Sequence, residues 1–512
     1  MSPAQLARKA LTVSGWTLAS RILGLVRDRL WAGIGGGTPL LDAFITAFQI
    51  PNLLRNLFGE GALTTAFIPR YAQMKERDPA AAEAFAGVVL ARLTLVLSLI
   101  ALAIMALCAG VIAWGDLHSP AVLVAALAAP MVPFLVFVCV TALLGGMLNV
   151  RRHFWVAAAC PVLLNLCMIS TIWMSPEREV WAAPYAVLGA GLLMTALSFT
   201  ALARTGGIPP LSFASTHEYR QLRNALGPSL LSSGVYQINA ALDTFMAISL
   251  LGGGGPVQFL YFANRLLQFP LALIGHGVTT VAFPELARRA GEGWAATGEG
   301  LRVAVRLQAF WLLPAAVGLL VCAEPLVRSI YQTGSFQEEA VARTVLVTRF
   351  LALSLVPVSL VKLLVRSFHA HHDQRTPLLV SVATIALNVG LNLLLIFCSP
   401  LREAGLALAS GIAATAGLGV YLWLLHRRGT GHVVDWAGLV RPLLAAGAMG
   451  VAVAVLLHVW PQPIGHGSLT AAVRLASAVA VGGAVYLAIA GIGWLRRKPT
   501  APISAPAGST VD

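Results

Sequence analysis

Ionised side chains stand where a membrane span should carry none. The apolar stretch 10–34 contains Arg21, Arg27 and Asp28, and the stretch 39–71 contains Asp42, Arg55 and Glu60. Each charge costs about 2.5–3.5 kcal/mol at mid-bilayer on insertion scales, so such groups face a wet or protein-lined interior and usually bind something. A third stretch, 255–287, adds Arg265 beside Asn264 and Gln268. Arg21, Arg27, Arg55 and Arg265 outweigh the nearby carboxylates, so the bound species is an anion. Arginine suits phosphate because its planar fork donates two parallel hydrogen bonds and stays charged when desolvated. The competing reading is structural, with the arginines paired to Asp28, Asp42 and Glu60 as interhelical pins.

Local geometry limits how these groups converge. Arg21 lies about 16 Å along its helix, and Arg27 about 9 Å further on. On a straight helix the two point apart and Asp28 falls under Arg21, so converging the cations would need a bend or partial unwinding near Gly24, and the sequence leaves this open. Asp42 and Gln49 share a face at seven-residue spacing. Pro51 removes a backbone hydrogen bond just before Arg55 and can redirect it. Arg92, Arg349 and Arg366 are weaker candidates, for which a structural role as snorkelling residues near span ends is the favoured reading.

The whole chain must supply the elements that hold these groups. Of 512 residues, 58% are hydrophobic and only 11% charged, with a mean hydropathy of +0.79. That composition marks an all-α polytopic membrane protein and leaves no room for an ordinary soluble domain. Stretches of roughly 20 apolar residues fall near 10–34, 39–71, 84–115, 120–149, 156–175, 181–203, 222–251, 255–287, 301–322, 340–370, 376–399, 402–426, 436–460 and 469–495. That makes about fourteen transmembrane helices. None has the ten-residue alternation of a barrel strand. The six cysteines lie in apolar segments without the spacing of a zinc or disulfide site.

Loop charge orients the spans. With the N-terminus inside, the inner loops hold Lys75, Arg77, Arg151, Arg152, Arg204, Arg220, Arg288, Arg289, Arg375, Arg427, Arg428 and the cluster Arg496, Arg497, Lys498. The outer loops hold only Arg178, Arg328 and Arg402, each near an acidic residue. This positive-inside pattern puts both termini in the cytoplasm. It also accounts for most of the net charge of +14 through cytoplasmic loops and anionic headgroups rather than nucleic acid. Arg8 and Lys9 precede an apolar run broken at Arg21 with no small-residue cleavage site, so the N-terminus is not read as a cleavable signal.

A weak internal repeat divides the chain. Residues 59–69 (GEGALTTAFIP) resemble 275–284 (GHGVTTVAFP), and Arg151-Arg152 before Pro161 and Asn165 parallels Gln374-Arg375 before Pro377 and Asn388. Two pseudo-symmetric six-helix lobes in the same orientation follow, 1–220 and 221–430, related by an axis along the membrane normal. Two further helices occupy 431–498, and 499–512 read as a disordered cytoplasmic tail.

These residues resemble a known family. The runs Ser20-Arg21-Ile22-Leu23-Gly24-Leu25-Val26-Arg27-Asp28, Asp42-Ala43-Phe44 and residues 51–62 (PNLLRNLFGEGA) are similar to the MurJ (MviN) lipid II flippases, members of the superfamily of multidrug, oligosaccharidyl-lipid and polysaccharide exporters. Residues 261–270 (YFANRLLQFP), 331–336 (YQTGSF) and Thr376-Pro377 add to the likeness. The resemblance implies two facing six-helix lobes, two extra C-terminal helices lining a groove for a polyprenyl tail, and transfer of lipid II from the inner to the outer leaflet of the bacterial cytoplasmic membrane. It maps the cavity arginines onto Arg21, Arg27, Arg55 and Arg265, and the acidic partner onto Asp42. Gly24, Asp28, Pro51 and Glu60 then serve in gating or structure. The implied partners are lipid II and membrane lipids, with the chain acting as a monomer.

The chain also departs from the family. Some members have lysine where Gln49 stands and acidic residues where Asn264 and Gln268 stand, so mechanisms built on those charges do not transfer. Part of the family holds sodium between its seventh and eleventh helices. Here Asp243, Asn388 and Asn392 could supply hard oxygen ligands, while interhelical packing is the competing reading. No other cofactor is implied. The chain has no GxxxxGK[ST] string for nucleotide hydrolysis, and an enzyme reading, such as a glycosyltransferase, lacks a long outer loop bearing a catalytic carboxylate. The nearer alternative is an exporter of another polyprenyl-linked glycan.

Overall fold

A computed structural model describes residues 3–57, 63–116, 119–174, 179–214, 216–252, 254–460 and 468–491. Glu60, the cluster at 496–498 and the tail at 499–512 lie outside the described residues. Among the described residues every regular element is helical. In order these are α1 (Pro3–Gly35), α2 (Pro39–Arg55), α3 (Leu63–Arg77), α4 (Pro79–Trp114), α5 (Pro120–Met131), α6 (Phe134–Val150), α7 (Trp155–Met174), α8 (Glu179–Arg204) and α9 (His217–Leu250). Then follow α10 (Pro256–Pro270), α11 (Gly277–Ala290), α12 (Trp294–Tyr331), α13 (Glu338–Ala370), α14 (Arg375–Cys398), α15 (Glu403–Arg427), α16 (Trp436–Val459) and α17 (Ser468–Ala490).

Several starts are written in the sequence as a capping residue followed by proline. Thr38 accepts from the Leu41 N–H, Asp78 from Ala80 and Ala81, and Ser119 from Val122, each with proline at the first helical position. The side-chain oxygen satisfies an N–H the helix cannot, and proline there has no N–H to lose.

Nine helices among the described residues are long and apolar enough to cross a membrane. A tenth crossing results if α5 and α6, bent by 46° at Pro133, count as one. α1 is also long enough to cross but carries more polar and charged residues, and the C-terminal part of α9, Ala241–Leu250, is a shorter apolar helix. Two further sequence stretches have a proline inside a helix. Buried Pro51 does not end α2, which runs to Arg55 and into a π turn at residues 56–57. Likewise α10 passes Pro270 into a π-helical turn, Leu271–His276, before α11. Wide turns of this kind accommodate a proline's missing donor.

The element order recurs. Starts in the second series follow those in the first by 214 (α1 at 3, α9 at 217) to 224 residues (α8 at 179, α15 at 403). The chain divides into two compact units: residues 1–258 with 330–340, and residues 259–329 with 341–512. The first unit includes α9, which packs on α2 and α3.

In the first unit α1 packs on α7, α2 on α5, and α6 and α7 on α8. Its core is aromatic around Phe67, Tyr71 and Phe85, closed by Leu144, Met147 and Leu148. The second unit centres on Phe310, Phe368, Tyr421 and Tyr486, and α16 and α17 join this core through Met449, Val453 and Ala478. Its α13–α14 turn is tied down by aromatic and charged groups. His371 stacks on Trp294 with ring centroids 3.6 Å apart, and its Nε2 lies 2.9 Å from Thr297 Oγ1. Arg428 donates to Asp373 at 3.1 Å, and Asp373 in turn caps α14 through the N–H and hydroxyl of Thr376.

Candidate anion-binding arginines and their supports

α1 is one continuous helix through Gly24, with no unwinding there. Arg21 and Arg27 accordingly have different surroundings. Arg21 is exposed, and Arg27 is buried with 5% of its surface accessible. Arg27 donates to Asp28 Oδ1 through Nε (3.0 Å) and Nη2 (2.6 Å), and to Asn165 Oδ1 on α7 through Nη1 (3.0 Å). Asn165 returns a bond from its amide to the Ser20 carbonyl at 3.0 Å. Arg27, Asp28 and Asn165 thus form a buried polar pin between α1 and α7. Asp28, expected beneath Arg21, is paired with its own neighbour instead. A buried pair held this way contributes little net stability, but losing one member leaves an uncompensated charge.

Asp42 is buried on α2 and accepts from the Gln258 backbone N–H at 2.9 Å and from its side-chain amide at 3.2 Å. Gln258 also donates to the Thr38 carbonyl and accepts from the Gly37 N–H. Asp42 therefore places a negative charge at the first turn of α10, where unsatisfied N–H groups and the helix dipole favour an anion. The same end of the first unit holds the turn after α12. Ser335 donates from its N–H to Gly33 O at 2.7 Å, and Arg29 to Ile330 O at 2.9 Å. Gly334 (φ +52°) lies so close that a Cβ would meet Gly33 O at 2.1 Å.

Arg55 is half-buried at the end of α2. Asn52 and Asn56 accept from its Nε and Nη2 at 3.0 and 2.7 Å, and Asn56 reaches Gln237 of α9 at 3.5 Å. These neutral amides orient the guanidinium without cancelling its charge. Gln49 accepts from Thr244 at 2.8 Å, beside half-buried Asp243.

In the second unit, Tyr261, Asn264, Arg265 and Gln268 follow i, i+3, i+4, i+7 spacing on α10. They form its more accessible face, opposite buried Phe262, Ala263, Leu266 and Leu267. That spacing puts a cation and two amides on a single helix stripe. Asn388 and Asn392 are buried on α14. Asn392 donates to Asn388 Oδ1 at 3.1 Å, and Asn388 to Ser410 Oγ of α15 at 3.0 Å. Asp243 lies in the other unit. Arg343 pairs with buried Glu403 at 2.7 Å and stands over the Phe259 ring.

The sequence reading missed Gln258 and the supporting role of Asn165, both defined by contacts between residues far apart in the chain. It also passed over Lys362, half-buried inside α13, although its charge within an apolar run was a readable signal.

Comparison with known proteins supplies context. The family model described as "Lipid II flippase MurJ" matches residues 32–486. A Rhizobium tropici protein named "Probable lipid II flippase MurJ" is 32% identical, with 98% of each chain covered. A Burkholderia cenocepacia protein named "Lipid II flippase MurJ" is 31% identical over 83% of this chain and 84% of its own. Among solved structures, "Lipid II flippase MurJ, inward closed conformation" superposes with a TM-score of 0.77 at 21% identity, covering 94% of this chain and 99% of that one. An inward-facing multidrug MATE transporter follows at TM-score 0.67 and 16% identity, covering 82% and 98%. These last two likenesses speak to fold.

Proposed function

The chain belongs to the lipid II flippase MurJ family, and on that premise we propose that it moves lipid II from the inner to the outer leaflet of the bacterial cytoplasmic membrane for peptidoglycan synthesis. The observation that carries this reading is the polar stripe of α10. A membrane helix carries half-buried Arg265 between two exposed amides, where an apolar face would cost less, and the cation suits a pyrophosphate. Arg21 and Arg55 supply further cations in the first unit. Asp42 is a positioning residue for α10, and Arg27 acts through the α1–α7 pin.

Counting α2/α3, α5/α6 and α10/α11 as interrupted single passes gives fourteen crossings, with both termini in the cytoplasm. Two six-helix lobes alternate access by rocking about a midplane site, and α16 and α17 accommodate the polyprenyl tail. The pyrophosphate docks while the lobes open inward and leaves when they open outward. A membrane potential negative inside favours returning the empty cationic site inward, by about 2.3 kcal/mol per charge per 100 mV. The chain's part is transport rather than bond-making catalysis, and a single copy carries it out.

A sodium ion belongs to the same proposal on donor chemistry alone. Asn388, Asn392 and Ser410 bring hard oxygens together in the second unit. Purified protein in vesicles loaded with lipid II tests the function, read as substrate reaching the opposite leaflet. Transfer no faster than in protein-free vesicles refutes it. The same assay with potassium in place of sodium tests the ion, and unchanged transfer removes it.

A further inference from the structure

The connection between α8 and α9 is a strap fastened to the first unit by two arginines. Arg151 donates from Nη1 to Leu202 O at 3.2 Å and Gly207 O at 3.1 Å, and is itself paired with Glu83 at 2.8 Å. Arg92 donates to Phe213 O at 2.6 Å and lies over the Tyr219 ring. Between these points Pro210 rests directly on Gly87 of α4, where a Cβ would fall 1.8 Å from the Pro210 oxygen. So firmly held a strap would be expected to bury its apolar side chains. Instead Ile208, Leu211 and Phe213 are 52%, 67% and 62% exposed.

The register along α4 says what these side chains face. Arg92, Leu95, Val96 and Leu99 follow i, i+3, i+4, i+7 spacing, and the last three are exposed leucines and valine, the surface a spanning helix shows to lipid. Arg92 therefore carries the strap across the lipid-facing stripe. Counted back from Trp114, a hydrocarbon core of about 30 Å ends near Leu95. Arg92 lies about 4–5 Å beyond that point and Gly87 about 12 Å beyond it, while the headgroup layer is about 5–8 Å thick. The strap thus enters the headgroup layer as it approaches Phe213. It is flanked by exposed Arg204 at the end of α8 and by exposed Arg220 and Arg223, three residues apart on the first turns of α9.

We propose that residues 205–214, with Arg204, Arg220 and Arg223, form an in-plane membrane anchor. Leu211 and Phe213 reach toward the acyl boundary while the arginines engage the phosphates of anionic phospholipids. Apolar side chains beside a basic cluster are the pattern of an interfacial segment that prefers anionic lipid. The orientation proposed above serves only to name this the cytoplasmic leaflet. The anchor fixes the depth of the first unit and the point from which α9 departs.

Photo-cross-linking of the full chain in nanodiscs of mixed phosphatidylcholine and phosphatidylglycerol tests this. The variants Leu211→p-benzoylphenylalanine and Phe213→p-benzoylphenylalanine change exposed positions, and Leu99→p-benzoylphenylalanine reports ordinary lipid contact. Mass spectrometry of the adducts should show lipid at 211 and 213, with phosphatidylglycerol enriched over its share by at least about fivefold relative to position 99. R204Q/R220Q/R223Q should abolish the enrichment and keep the adducts. Absence of lipid adducts at both strap positions overturns the anchor. Adducts that mirror the bulk mixture with the arginines intact overturn the anionic site. Flipping is not measured, so either result stands apart from the transport reading.

Discussion

The carboxylate of Asp42 accepts both the backbone N–H and the side-chain amide of Gln258, 216 residues away, at 2.9 and 3.2 Å. An acidic residue that seemed a counter-charge for nearby arginines instead holds the start of the helix that bears Arg265. Asp42→Ala should therefore weaken the first turn of α10 by about 1–3 kcal/mol, the range for a buried charge-assisted bond. Asp42→Asn, which keeps one acceptor, should cost less. Hydrogen exchange at the first turn of α10 checks this, and unaltered protection in Asp42→Ala would show that the contact carries no weight.

Arg27 separates structure from transport. Arg27→Ala removes the guanidinium that bonds buried Asp28 and Asn165, a loss of about 3–5 kcal/mol, and should lower abundance and melting temperature. Arg27→Met combined with Asp28→Leu removes both charges at similar volume and should recover most of that stability. If Arg27 acts only as a pin, the double variant also flips lipid II at a rate near wild type. A stable but inactive double variant would place Arg27 on the substrate.

Much of this was legible in sequence, for identifiable reasons. Continuous apolar runs located the helices, and Thr38-Pro39, Asp78-Pro79 and Ser119-Pro120 marked three starts. Hydropathy does not encode the pairing of charges. It showed that Arg27 and Asp28 were costly, but their partner Asn165 lies on another helix. A bend at Gly24 is needed only if Arg21 and Arg27 converge, which the sequence leaves open. α1 needs none, since Arg27 turns inward to Asp28 while Arg21 stays outside. The string 331–336 was recognisable by resemblance, but its physical role, Gly334 and Ser335 packed on Gly33, needed coordinates.

The strap depends on the absence of a side chain at Gly87. Gly87→Ala forces Pro210 outward and should destabilise the first unit by about 1–3 kcal/mol, the usual cost of overpacking. Gly189→Ala, where a Cβ meets nothing within 4 Å, is the matched control and should be close to neutral. Thermal unfolding of the two variants side by side checks the contrast.

The α13–α14 turn should respond to pH. Burial, then the nearby Arg428 and His372 charges, push the His371 pKa below its ordinary value. Asp373 is held below the usual carboxylate range, because the bonds from Thr376 and the charge of Arg428 outweigh the effect of burial. A depressed histidine favours the neutral form in the folded state. Its stabilisation is therefore complete above the unfolded pKa and is lost as pH falls toward the folded one. Melting temperature should drop between about pH 7.5 and about pH 5.5, across the ordinary imidazole range, and His371→Gln should flatten that slope. An equal slope in both proteins would exclude His371 as its source.

The central claim is that arginine on the spanning helices, Arg265 first, binds the pyrophosphate. Its most direct measurement is lipid II exposed on the outer leaflet of cells depleted of their own flippase and expressing Arg265→Ala at wild-type abundance. Loss of one charge-assisted contact predicts exposure slower by about 10- to 100-fold, with Arg265→Lys partly restoring it. Exposure at the wild-type rate in Arg265→Ala cells would contradict the account.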